Sequence, residues 1–195
     1  MNVYMSAANQ LPASMTVAEF LAWTTTDGSD RWELIEGAPR AMTPASPRHG
    51  AIQGEAVRLI GNRSADVPGP PCRVIVEPGI QPKVRANWNV RIPDLAVTCT
   101  ASDADDRLLR EPLVVVEILS PSNRADTWAN VWSYTTGPSV WEILVLYTAD
   151  IRADLLRREE DASWPDNPTA LTLGDDLALE SIDFTIPIAA FYRTA

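Results

Sequence analysis

Two kinds of apolar spacing organise this chain. Ile52, Ala56, Leu59 and Ile60 recur at helical spacing and predict the buried stripe of a helix. Residues 113–119, Leu-Val-Val-Val-Glu-Ile-Leu, are apolar except at Glu117, and their β-branched content predicts a strand buried on both faces. Thr16-Val-Ala-Glu19 is a capping box, which predicts a short helix over 17–24. Residues 31–43 read as a hairpin turning at Gly37, with Glu33 and Ile35 on one face and Trp32, Leu34 and Glu36 on the other. Ser46 is placed to cap the stripe-bearing helix and Pro47 suits its first turn. His49, the only histidine, falls in that first turn, a position that favours a surface residue.

Strands are expected at 72–76, 80–84 and 90–97, the last two joined by a turn at 86–89, followed by a polar, acidic surface loop or short helix over 98–110. Pro121 ends the central strand, Ser122 or Asn123 is placed to cap a helix over 124–134, and Gly137-Pro138 stops it. A strand at 140–147 follows, with Trp141 and Ile143 on one face. Residues 151–158 read as a strand or short helix. Short strands or turns at 171–173, 177–179 and 182–186 precede a closing helix at 187–192. Residues 1–15 read as a loose lead-in, 25–30 as a turn and 64–71 as a linker. The strand–helix–strand passage 113–147 predicts a right-handed crossover with a parallel pair. The expectation is one α/β domain over 1–195, a mixed sheet with helices on its faces.

The length, 195 residues, suits one domain. No apolar run is long enough to span a membrane, and no basic segment precedes an apolar core at the N-terminus, so a cytoplasmic location is expected. Cys72 and Cys99 lack metal-type spacing and read as buried thiols. The formal net charge is −10, with one lysine, Lys83, among 16 basic residues. That sign argues against strong non-specific DNA affinity. It leaves room for a local arginine patch, with Arg48, Arg58, Arg63, Arg85 and Arg91 as candidates, although plain solvation is their default role.

The chemistry centres on Asp94 and Glu117. A carboxylate in the middle of a buried strand is costly unless it is paired, protonated or bound to a cation. Asp94 follows Pro93, which holds Ile92 extended where a strand begins. If the two strands are neighbours, both acids converge at one sheet end and suit a hard divalent cation. The plain alternative is a solvated strand acid and a Pro-Asp turn.

Five pieces then stand in order: Glu33-Leu-Ile-Glu-Gly37, Ser46-Pro-Arg-His49, Pro93-Asp94, Val115-Val-Glu-Ile-Leu-Ser-Pro-Ser122, and Tyr134 with Val140-Trp-Glu-Ile143. Together, over roughly residues 16–156, they resemble the Uma-two-type restriction-endonuclease family, formerly a domain of unknown function, within the PD-(D/E)XK nuclease superfamily. The resemblance implies a restriction-endonuclease-like core, a central mixed sheet flanked by helices, preceded by an N-terminal helix and hairpin. It implies Mg²⁺ or Mn²⁺ on Asp94 and Glu117, with the Ile118 carbonyl as a third ligand and Glu33 as a further ligand or a structural acid. His49 would complete or border the site as ligand, water-orienting group or phosphate contact.

One departure stands out. In the superfamily a lysine usually lies two residues after the strand acid, where this chain has Leu119. The family often moves it to the next helix as Asp-x-x-x-Lys-x-x-x-Tyr. Here the helix reads Asp126, Asn130, Tyr134, so Asn130 stands in the lysine's place. Asn can orient a water but carries no charge to stabilise the transition state, a loss of about 3 kcal/mol or roughly a hundredfold in rate. Lys83 is a candidate substitute. The leading expectation is a metal-dependent endonuclease acting on DNA. The alternative is a catalytically impaired nuclease-fold binding module, and a hydrolase of another phosphate substrate ranks last. The expected partners are DNA and a second copy of the chain, with no membrane.

Overall fold

The hairpin and the first helix form a small layer of their own. Helix α1 spans Val17–Asp27, strand β1 Trp32–Ile35 and strand β2 Ala38–Ala41. The capping box forms as expected: Glu19 Oε2 accepts from the Thr16 backbone N–H and hydroxyl, and the Glu19 N–H donates to Thr16 Oγ1 at 3.3 Å. The two-residue turn has positive φ at Glu36 and at Gly37, the backbone a tight hairpin needs. A side chain at position 37 would also meet Trp88 and Ser14. Leu34 seals this layer against Met15, Val17, Phe20 and Val90.

The computed structural model describes residues 14–27, 31–66 and 72–195, without the side chains of 24–27 and 64–66. The lead-in over 1–13, the turn expected at 28–30 and the 67–71 part of the linker lie outside the described residues. Residues 25–27 continue α1 rather than turning, and 64–66 continue the next helix.

Helix α2, Pro47–Asp66, carries the predicted stripe, with Ile52, Ala56 and Ile60 fully buried. Ser46 Oγ accepts the His49 N–H at 3.2 Å, as its capping position implies. The main sheet comprises β3 (Arg73–Val76), β4 (Leu95–Thr98), β5 (Val114–Leu119), β6 (Glu142–Tyr147), β7 (Arg152–Arg157) and β8 (Thr169–Thr172), in that spatial order. Only β5 and β6 run parallel, joined through α3, Arg124–Tyr134. The other neighbouring strands are antiparallel. Strand β5 is buried along its whole length. Val114, Val116 and Ile118 pack toward α2, while Val115 and Leu119 pack with Val131 and Tyr134 of α3. A second hairpin, β9 (Asp176–Leu179) with β10 (Phe184–Pro187), covers the α2 side together with the 3-10 turn Ile188–Tyr192.

Several expectations need correction. Residues 80–84 form no strand and 90–94 precede one. Only isolated bridges occur there, Ile80 with Arg91 and Leu34 with Val90, and β4 begins at Leu95. Pro82 and Pro93 lack the N–H a ladder requires. Residues 86–88 make a 3-10 turn instead of a hairpin. Trp141 precedes β6 and is exposed, whereas Ile143 is buried. Asn123 does not cap α3 through its side chain, which instead accepts the Ser120 N–H. Cys72 and Cys99 are not free thiols but a disulfide across β3 and β4. They lie one register step beyond the Arg73–Thr98 pair, so pairing of the two strands brings them together.

Candidate active site

Strand register brings the two acids together. Leu95 faces Val116 across the β4–β5 ladder, so the same register sets Asp94 opposite Glu117. The ladder stops there, and the side chain of Asp94 continues it: Oδ2 accepts the Ile118 N–H at 2.6 Å. Asp94 Oδ1 lies 2.6 Å from His49 Nε2. A carboxylate can only accept, so with Asp94 ionised the histidine proton sits on Nε2. Helix α2 is tied to the same point, because Gln53 Nε2 donates to the Asp94 carbonyl at 3.1 Å.

His49 is therefore buried, at 8% exposure, and not the surface residue its position in a first helical turn suggests. Capping orients the first turn, but contact with Asp94, 45 residues away, determines burial.

Glu117 is also buried. Its Oε1 accepts the Tyr134 hydroxyl at 3.0 Å. Burial first, and then the charges of Asp94 and Glu33, push the Glu117 carboxyl well above the usual carboxylate range, against the Tyr134 hydrogen bond and Arg91. Glu33 arrives from β1, which docks on Val90 through paired backbone bonds. Its Oε1 accepts the Ile92 N–H at 2.9 Å and faces Asn130 Nδ2 at 3.4 Å. Burial raises Glu33 as well, opposed by the Ile92 bond and Arg91. The helical face Asp126, Asn130, Tyr134 is thus turned toward the acids, and Asp126 meets Arg40 at the rim, 3.2 Å away.

Glu33, His49, Arg91, Asp94, Glu117 and Asn130 border one open cavity of about 820 Å³, with Arg40 and Asp126 also in its wall. Ile118 enters through its backbone, and its side chain packs in the core. Lys83 is exposed and borders a different cavity, so it does not stand in for the absent lysine. Arg58, Arg63 and Arg85 pair with Glu55, Asp183 and Glu36. Arg91, expected to be solvated, is 7% exposed and lies in the wall of the acidic cavity. Its one legible signal is a lone charge inside Val90-Arg-Ile-Pro93, the same signal that marks Glu117. Tyr134 was legible as a member of the α3 face and of the family motif, but not as the hydrogen-bond partner of Glu117.

The donor set is hard: carboxylate oxygens and no thiolate, the chemistry that suits magnesium or manganese rather than a soft metal. Among the described residues no three His, Cys, Asp or Glu side chains stand in metal-holding geometry. Magnesium commonly takes one or two carboxylates and keeps several waters, so two acids beside an open cavity fit it.

The architecture is that of a nuclease-like α/β protein. A solved structure described as a putative nuclease belonging to DUF820, from Anabaena variabilis, superposes with a TM-score of 0.69 at 17% identity, covering 91% of this chain and 97% of its own. The model of the family Uma2, "Putative restriction endonuclease", matches residues 17–189. The chain belongs to that family. No curated protein matches it.

Proposed function

We propose that this protein is an endonuclease that hydrolyses DNA phosphodiester bonds with Mg²⁺ or Mn²⁺. The observation that carries the reading is the meeting of Asp94 and Glu117, 23 positions apart in sequence, at one end of the sheet beside an open cleft, in a chain of an endonuclease family. Asp94, Glu117 and the Ile118 carbonyl would hold the ion, with Glu33 beside them. The register puts Pro93 opposite Ile118, and proline has no N–H to offer that carbonyl. When bound, the ion supplies Lewis acidity toward the phosphate and toward the attacking water.

The chain's own residues do the rest. The Ile118 N–H and His49 hold Asp94 in one orientation, which lowers the cost of assembling the site. Tyr134 anchors Glu117 through one oxygen. Burial raises the Glu117 carboxyl, which makes its ionised form a stronger base toward a proton of water than an ordinary carboxylate. No helix among the described residues is long and apolar enough to cross a membrane.

The test is cleavage of plasmid and single-stranded DNA by the full chain in Mg²⁺ or Mn²⁺. Asp94→Ala and Glu117→Gln should each lower the rate at least about a hundredfold. Equal rates in wild type and Glu117→Gln would remove the reading. A second reading, a nuclease-fold binding module, is favoured by Asn130 in the cavity wall and by an Asp94 whose two oxygens already have partners. DNA binding without cleavage in either metal would select it.

A further inference from the structure

We infer that Arg91 is the residue that grips the phosphodiester at the cleft, a phosphate-contacting catalytic residue. This rests on the nuclease reading and adds to it the group on the protein side that neutralises the substrate's charge.

The inference comes from comparing how this molecule treats its buried charges. Away from the cleft, each buried acid among the described residues has an arginine. Glu55 pairs with Arg58 and Arg193, Glu142 with Arg157, and Asp154 with Arg152. Glu142 is satisfied further by the Glu180 and Ser181 backbone and by the Ser181 hydroxyl. In the cleft the rule fails on both sides. Glu33 and Glu117 are buried with no ion pair among the described residues. Arg91 is buried beside them with no ion pair either, and its Nε has no hydrogen-bond partner at all.

A buried, unpaired guanidinium is costly. Arg91 eases the ionisation of Glu33 and Glu117 from a distance, but its donors are not used on them. The backbone holds the residue firmly: its N–H and carbonyl both pair with Ile80 at 2.8 Å. The other arginines of the cavity wall, Arg31 and Arg40, are exposed and already bound to Glu77 and Asp126. Arg91 is thus the one wall arginine among the described residues with its donors to spare. An arginine is always charged and offers a planar fork that matches two oxygens of a phosphate. It lies three residues from Asp94, so an anion it bound would sit beside the acids that the nuclease reading assigns to the metal.

The alternative role is a counter-charge that only tempers the acids. Single-turnover cleavage in Mn²⁺ and a salt titration of duplex binding in EDTA separate the two, on wild type, Arg91→Gln and Arg91→Lys. A phosphate contact predicts that Arg91→Gln lowers the rate at least about a hundredfold and flattens the slope of log K against log salt by about 1. Arg91→Lys should keep the slope and recover part of the rate, and it serves as the test if the glutamine variant does not fold. An unchanged slope in folded Arg91→Gln overturns the inference, whether or not the rate falls. An unchanged slope joined to full activity would leave the nuclease reading standing alone. A wild type that neither cuts nor binds DNA overturns that reading, and this one with it.

Discussion

The Asp94 carboxylate takes the Ile118 N–H at 2.6 Å, at the point where the β4–β5 ladder ends. A side chain thus completes a backbone ladder, and the acid is fixed by the sheet. Asp94→Asn keeps an acceptor for this N–H, whereas Asp94→Ala leaves it orphaned, at a cost of about 1–3 kcal/mol. Both variants should lose the heat of Mg²⁺ or Mn²⁺ binding in calorimetry, and only the alanine variant should also melt markedly lower. Equal metal heats in wild type and Asp94→Asn would show that Asp94 holds no ion.

Glu117 sets a pH dependence of stability. Its folded pKa is raised by burial and by neighbouring acids, so the unfolded chain releases this proton first. From the ordinary carboxylate pKa of about 4.3 up to the raised value, the folded protein binds more protons than the unfolded one. Stability therefore falls as pH rises through that window and levels off above it. Glu117→Gln should remove most of this fall, with Glu33 retaining a smaller share for the same reason. Urea midpoints of the two proteins at pH 4.5 and pH 8 check it. A variant that gains no stability relative to wild type at the higher pH contradicts the assignment.

Tyr134 restrains that shift, since its hydroxyl donates to Glu117 and favours the ionised form. Tyr134→Phe should raise the Glu117 pKa further. If the ionised form is required, the acid limb of the pH–rate profile should move to higher pH, with activity recovering in alkaline buffer. A uniform loss at every pH would point to a packing defect instead.

Asn130 lies in the cavity wall, facing Glu33. Asn130→Lys should place a charge next to the acids. We expect it to recover at least about tenfold of the rate lost in Arg91→Gln, a modest share of what one electrostatic donor contributes. No recovery in the double variant would mean that a cation on α3 cannot serve the cleft.

The Cys72–Cys99 disulfide closes a segment with a sequence separation of 27 residues. On a chain-entropy argument it contributes about 3.5 kcal/mol. Cys72→Ser should lower the melting temperature by about 7–14 °C, and treating wild type with reductant should reproduce that shift. Thermal melts with and without dithiothreitol check this.

Local features were readable from the chain alone because neighbouring residues settle them. The Thr16–Glu19 capping box, the turn at Gly37, the Ser46 cap and the full extent of α3 each depend on contacts within a few positions. The apolar run around Glu117 marked the central strand, and the ordered motifs marked the family and the two acids. Tertiary structure alone decided the burial of His49, the pairing of the cysteines and the entry of Arg91 into the cleft. In each case the deciding neighbour lies on another segment: Asp94 for His49, Cys99 for Cys72, and Ile80, through its backbone, for Arg91. A charge pattern tells which residues are costly to bury, but only the packed sheet tells which of them are buried together.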